Sequence, residues 1–275
     1  MRELPAVHAE LLAEALAAFL AEELRASGLA GYVVGLSGGI DSAVAAALAV
    51  RAAGAGRVTA LALPGPTSAP ASLEDARAVA GSLGLALATV DLGAPARELA
   101  TVLAAGEDRI RYGNLLARLR MIALFDRARQ LPALVLGTSN KSEILLGYST
   151  LFGDSACSVN PLGDVWKTHV FRLAEQLGLP AFLLDKPPSA DLWAGQTDAG
   201  ELGFDYAEAD PVLYWHHEQG LDRAALVAAG FAPALVDRVL LAYRRSRFKW
   251  RPTVVARTSA SCVNVDRILP RNPER

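Results

Sequence analysis

The chain has 275 residues, of which 52% are hydrophobic and 20% charged, enough for one large α/β domain or two small ones and too apolar for global disorder. A net charge of −2 gives no overall electrostatic footprint for nucleic acid, and no apolar run reaches the roughly 18 residues of a bilayer span. The two cysteines, Cys157 and Cys262, lack CxxC spacing; they give neither a zinc site nor a disulfide framework and read as inert thiols.

Residues 1–28 interleave Glu10, Glu14, Glu22 and Glu23 with apolar residues. That pattern predicts an amphipathic helix and rules out a secretory h-region, so the cytoplasm is the expected compartment. A strand is expected near 32–36, then the glycine-rich stretch "GLSGGIDSA" (35–43) and a helix over about 42–53. "RVTALAL" (57–63) reads as a second buried strand, and "LPGPTSAPAS" (63–72) as a loop. Ser72 as N-cap with Asp75 at N3 predicts a helix from 72. "LALATVDL" (85–92) is a third strand. A helical region follows over 95–130, with breaks expected near Gly106 and Gly113, and "PALVLGT" (132–138) is a fourth strand. Arg109, Arg111, Arg118, Arg120, Arg127 and Arg129 make that helical region locally basic; a solvated helix face and a binding face both fit them.

This alternation implies a doubly wound parallel sheet with helices on both faces. Residues 155–275 read as helical with loops, and the irregular stretch 186–203 is long enough to suggest function. With no repeat, linker or second core in the pattern, the expected organisation is a single domain over 1–275, an N-terminal helix (1–28) followed by a catalytic core (29–275).

Ligands of parallel sheets bind beyond the C-terminal strand ends, where the glycine loop lies. Gly38 and Gly39 let backbone N–H groups approach an anion, the following helix adds its positive end, and Ser37 and Ser42 add hydroxyls. Asp41 makes sense beside a phosphate only with Mg²⁺ between them. Neither the Walker loop nor the G-x-G-x-x-G fingerprint fits. In "VLGTSNKSEILLGYSTLFGD" (135–154), Asn140 can cap a helix with Glu143 at N3; a second metal carboxylate is the rival role for Glu143.

"SGGIDS" (37–42) resembles the pyrophosphate-binding loop of the N-type ATP pyrophosphatases, with their adenine nucleotide alpha hydrolase-like fold. The ordered set "SGGIDS", "NLLARLRM", "GTSNKSEILLGY", "GD", "NPLGDVWKTHV", "KPPSADL", "QTDAGELG" and "FKWRP" resembles the ammonia-dependent NAD synthetases over about residues 30–252. The resemblance implies a homodimeric ligase that uses ATP and Mg²⁺ to amidate deamido-NAD with ammonia through an adenylated carboxylate, giving NAD, AMP and pyrophosphate. It implies ATP contacts from Gly35, Leu36, Ser37, Gly38, Gly39, Ile40, Asp41, Ser42, Thr138, Lys167 and Ser189. It implies Mg²⁺ at Asp41 and Glu143, and dinucleotide contacts from Arg118, Phe248 and Lys249. Asp41, Lys167 and Asp154 are the expected catalytic residues, with Asp154 drawing in ammonium and taking its proton.

Three positions depart from that pattern: Leu151 stands where several members have a lysine, Ser158 where they have an aspartate, and Phe248 where they have a histidine. His8, His169, His216 and His217 are given no role. About 30 residues precede the first strand, too few for a glutaminase domain; free ammonia is the expected nitrogen donor, and a separate glutaminase partner stays open. The rival readings are a tRNA-modifying enzyme, a GMP synthetase-like enzyme and a non-catalytic adenine-nucleotide sensor.

Overall fold

The computed structural model describes residues 3–193, 195–250, 253–256 and 258. Helix α1 (Ala9–Ser27) leads into β1 (Gly31–Gly35), α2 (Ile40–Ala53), β2 (Val58–Ala62), α3 (Pro70–Ser82) and β3 (Leu87–Thr89). Then come α4 (Gly93–Val102), α5 (Arg109–Gln130), β4 (Ala133–Val135), α6 (Lys141–Leu146) and α7 (Lys167–Gln176). The C-terminal part holds α8 (Phe182–Asp185), α9 (Asp198–Leu202), α10 (Tyr206–Leu213), α11 (Arg223–Ala228) and α12 (Pro233–Trp250). The four strands are parallel in the order β3-β2-β1-β4, and Leu136 bridges to Val159 just past the end of β4.

Both faces of this sheet are covered, so the central strands are apolar without alternation. Tyr32 and Val34 of β1 join the cluster under α1, α2 and α7, whereas Val33 joins Leu61 and Val135 under α4 and α5. Gly31 is obligatory: a Cβ there would lie 2.2 Å from the carbonyl oxygen of Arg57. The alanine-rich α2 is buried all round, from Ala43 through Ala49, and its small side chains let α1 and α7 pack against it. The Tyr32 hydroxyl donates to the Leu20 carbonyl at 2.5 Å and pins α1 to the sheet.

The structure moves several predicted boundaries. Helix α2 begins at Ile40 rather than Ser42. Helix α3 begins at Pro70 with Ala69 as N-cap, because the fixed φ of proline at the first helical position outweighs the Ser72 cap. The break near Gly106 falls between α4 and α5, but Gly113 sits inside α5, where its missing Cβ makes room for Leu192. β3 and β4 are shorter than their apolar runs. Cys262 and the Arg251–Pro252 end of the "FKWRP" stretch lie outside the described residues. Helices α6, α10, α11 and α12 bury a cluster of their own around Leu145, Leu213, Leu226, Val236 and Val239, which helical pattern alone does not separate from the sheet core.

If small residues in α2 set the approach of α1 and α7, Ala46→Leu should destabilise the protein by about 1–3 kcal/mol through overpacking. Urea unfolding would show it as a lower midpoint with an unchanged slope.

Candidate active site

The glycine loop lies where β1 hands over to α2, on the C-terminal edge of the sheet. Gly38 has φ +74°, and a Cβ there would meet the Ser72 carbonyl oxygen at 2.5 Å; conformation and space both demand glycine. Ser37 and Ser42 brace the turn. The Ser42 hydroxyl donates to the Gly39 carbonyl at 2.9 Å and lies 3.1 Å from the Ser37 hydroxyl, which accepts the Gly39 N–H. No side chain caps α2, so the first turn of this helix keeps its N–H groups directed toward the loop.

Asp41 in that first turn meets two residues from distant elements. Asn140, the N-cap of α6, donates its amide to Asp41 Oδ1 at 2.9 Å, and Lys167, the first residue of α7, gives its ammonium to Oδ2 at 2.5 Å. Lys167 also reaches Glu143 Oε1 at 3.1 Å. The expected capping box is present: Asn140 accepts the Glu143 N–H, and Glu143 Oε2 accepts the Asn140 N–H. Capping uses one oxygen of Glu143 and leaves the other for the site, so its two proposed roles are compatible.

Lys167 is only 1% exposed. Burial pulls its pKa down, but Asp41 and Glu143 outweigh that and hold it protonated. Glu143 is pushed up to about 8, chiefly by burial, with Lys167 working in the opposite direction. A cation at a helix N-terminus is disfavoured by the helix dipole. Asp210, fully buried on α10, offsets this by accepting the Thr168 N–H at 2.9 Å, the Thr168 hydroxyl at 2.6 Å and the Ser142 hydroxyl at 2.5 Å. Ser142 in turn accepts the Lys167 N–H at 2.9 Å. The start of α7 is thereby fixed from two sides.

Lys186 braces the loop from behind. Its ammonium is 3.1 Å from the Gly38 carbonyl oxygen and 2.6 Å from Asp75 Oδ2. The loop after β2 and the 186–203 stretch are latched together as well. The Thr67 hydroxyl donates to the Leu192 carbonyl at 2.8 Å, and the Arg109 guanidinium lies 4.7 Å from the centroid of a Trp193 ring.

A second group surrounds the turn after α6. Lys249 donates to the Gly147 and Ser149 carbonyls, each at 2.6 Å. Asp154 Oδ1 accepts the Thr150 N–H at 2.8 Å. The exposed Arg118 reaches the Leu151 carbonyl at 3.2 Å. At the departing positions, Leu151 serves Arg118 through its backbone, Ser158 accepts the Val135 N–H of β4 at 3.1 Å, and Phe248 is 66% exposed. Thr138 lies three residues past the end of β4, and Ser189 accepts the Asp191 N–H. Among the described residues no hydrogen bond joins Thr138 or Ser189 to the glycine loop. His8 caps α1, and His169 and His216 bond backbone carbonyls.

Asp41, Glu143 and Lys167 are therefore brought into contact, whereas Arg118, Lys249 and Asp154 belong to the separate group. Sequence reasoning did not single out Asn140's bond to Asp41, or Lys186, Asp198 and Asp210. The Asn140, Lys186 and Asp210 contacts span long sequence separations that leave no local pattern, although Lys186 lies within "KPPSADL" and Asp198, bonded to Tyr206, within "QTDAGELG".

A family model described as NAD synthase matches residues 12–253. The chain is 45% identical over 251 residues to an NH₃-dependent NAD⁺ synthetase of Chlorobaculum tepidum, covering 90% of this chain and 89% of that protein. It is 43% identical to the protein of the same description from Trichlorobacter lovleyi, covering 94% and 95%. Among solved structures it resembles an NMN synthetase from Francisella tularensis, with TM-score 0.78 and 33% identity over 93% of this chain and 100% of that one. It also resembles an NH₃-dependent NAD synthetase from Campylobacter jejuni, with TM-score 0.78 and 30% identity over 91% and 100%.

If Lys186 and Asp75 work as one brace on the Gly38 carbonyl, Lys186→Met and Asp75→Asn should each weaken ATP binding by about tenfold, the worth of a hydrogen bond to a charged group. Calorimetric titration with ATP checks this; loss in the lysine variant alone would mean that Lys186 acts on the nucleotide itself.

Proposed function

Since the chain belongs to the NAD synthase family, we propose that it amidates deamido-NAD with ammonia at the expense of ATP, giving NAD, AMP and pyrophosphate. This is ligase chemistry. A carboxylate resists nucleophiles because of its charge, and transfer of AMP onto it creates a mixed anhydride from which ammonia displaces AMP. The protein's task is to hold two anions together and to neutralise charge moving onto pyrophosphate, so positioning and electrostatics carry the catalysis. The observation that supports this best is the single ammonium of Lys167 held by Asp41 and Glu143 beside a glycine loop at a helix start. Family membership favours none of the tRNA-modifying, GMP synthetase-like or sensor readings.

In this reading Gly35 to Ser42 hold the ATP phosphates, Thr138 and Ser189 contact ATP, and Lys167 supplies positive charge to the phosphates. Asp41 and Glu143 would hold Mg²⁺. They fit it chemically, as two hard carboxylates already sharing a cation, although among the described residues no cluster of three or more ligating side chains is assembled. The metal, when bound, would supply charge neutralisation for the phosphates. Arg118, Phe248 and Lys249 bind the dinucleotide, and Asp154 gathers ammonium.

The remaining assignments are of the same kind. The protein works in the cytoplasm as a single catalytic unit over 1–275, without nucleic acid or membrane, and free ammonia supplies the nitrogen. A homodimer is supported by exposed apolar side chains on α4 and α5, among them Val102, Ile110, Ile122 and Phe125. Ile122 and Phe125 lie one and two turns beyond Arg118 on α5, which would place the dinucleotide near the subunit interface.

Purified protein with ATP, Mg²⁺ and deamido-NAD should form NAD and AMP in equal amounts with ammonium, and no NAD with glutamine. Nicotinic acid mononucleotide, the natural comparison given the Francisella NMN synthetase, should be the poorer substrate. Lys167→Met should lower kcat by about 10²–10³-fold, and Asp41→Asn should abolish turnover. Absence of both NAD and AMP in every arm would overturn the reading.

A further inference from the structure

Asp198 on α9 is 3% exposed, and its Oδ1 is the one buried side-chain oxygen or nitrogen without a hydrogen-bond partner among the described residues. Its other oxygen accepts the Tyr206 hydroxyl at 2.9 Å. An unmade bond of this kind costs about 1–3 kcal/mol, and more for a charged group, so it calls for an explanation.

The explanation lies in the neighbouring ammonium. Lys167 carries three N–H donors, of which Asp41 and Glu143 take two. The ring of Tyr206 faces this ammonium, with Nζ 5.3 Å from its centroid. Tyr206 links the two groups, since its ring faces the Lys167 ammonium and its hydroxyl donates to Asp198 Oδ2. A spare donor and a spare acceptor thus stand in one buried cluster without a bond between them. Asp41 and Glu143 bond the ammonium directly, and Asp198 joins the cluster through Tyr206.

We propose that Asp198 is a positioning residue that receives Lys167: the ammonium holds the place between Asp41 and Glu143 in the nucleotide-free protein and passes to Asp198 Oδ1 when metal and ATP are taken up. The inference rests on Asp41 and Glu143 being the Mg²⁺ pair. A buried ammonium displaced from two carboxylates needs another partner, because an unpaired buried charge is strongly destabilising. Asp198 offers the open acceptor of this cluster. Asp210, Thr168 and Ser142 fix the backbone at the start of α7, so the transfer is a swing of the Lys167 side chain alone.

The test is binding of Mn²⁺, followed by electron paramagnetic resonance of the free ion, in the presence of a non-hydrolysable ATP analogue. Asp41→Asn should remove the binding; if it does not, the metal pair is misassigned and the inference falls with it. With that arm satisfied, Asp198→Asn should weaken Mn²⁺ binding by about tenfold, within the usual range of coupling between sites. In a Lys167→Met background the same Asp198→Asn change should alter binding by less than about twofold. An equal loss in both backgrounds would mean that Asp198 acts on the metal through its own charge, and would overturn the inference. So would unchanged Mn²⁺ binding together with a raised KM for ammonium, which would assign Asp198 to the nitrogen donor. Thermal unfolding checks that each variant folds. If Asp198→Asn does not fold, a crystal structure of the unaltered protein with Mg²⁺ and the analogue decides: Lys167 within hydrogen-bond reach of Asp198 Oδ1 supports the transfer, and Lys167 still bridging Asp41 and Glu143 overturns it.

Discussion

One buried ammonium between two carboxylates is the constraint around which this site is arranged. Lys167 cannot stand alone at the N-terminus of α7, where burial and the helix dipole both oppose it. Burial raises the pKa of Glu143, and the Lys167 ammonium works against that rise. The three groups come from α2, α6 and α7, which are far apart in sequence. Their meeting therefore fixes how these helices sit on the sheet.

The fold supplies what the trio needs. Parallel order places the ends of β1 and β4 on one edge, so the glycine loop and the Asn140 cap face the same space. Small residues along α2 admit α7 closely enough for Lys167 to reach Asp41. Asp210 carries the geometry into the C-terminal helices by satisfying the first turn of α7 and the Ser142 hydroxyl of α6 together. In the proposed reaction, positioning of this kind is the larger part of catalysis, because charge must be neutralised at the departing pyrophosphate.

Much of this was legible in the sequence for identifiable reasons. The strands announced themselves as short apolar runs ending in glycines, and the Asn140–Glu143 capping box is a local pattern that the structure reproduces. The glycine loop spoke through residue chemistry alone. What escaped were contacts without a local signal. Lys186 finds Asp75 and Gly38 across more than a hundred residues, and the partners of Asp210 on α6 and α7 lie 68 and 42 positions away. Where two local signals competed, as Pro70 and Ser72 did at the start of α3, the proline's fixed backbone decided. The charge of Lys249 is visible in the sequence, but its two bonds to the Gly147 and Ser149 carbonyls just past α6 are not.

The central claim is that this centre drives transfer of AMP to a carboxylate with pyrophosphate leaving. The most direct test labels the carboxylate oxygens of deamido-NAD with ¹⁸O and analyses the products by mass spectrometry after turnover with ATP and ammonium. The account predicts one ¹⁸O in the phosphate of AMP and none in pyrophosphate. Unlabelled AMP accompanied by ¹⁸O in pyrophosphate or inorganic phosphate would contradict it, because the carboxylate would then have attacked a different phosphorus.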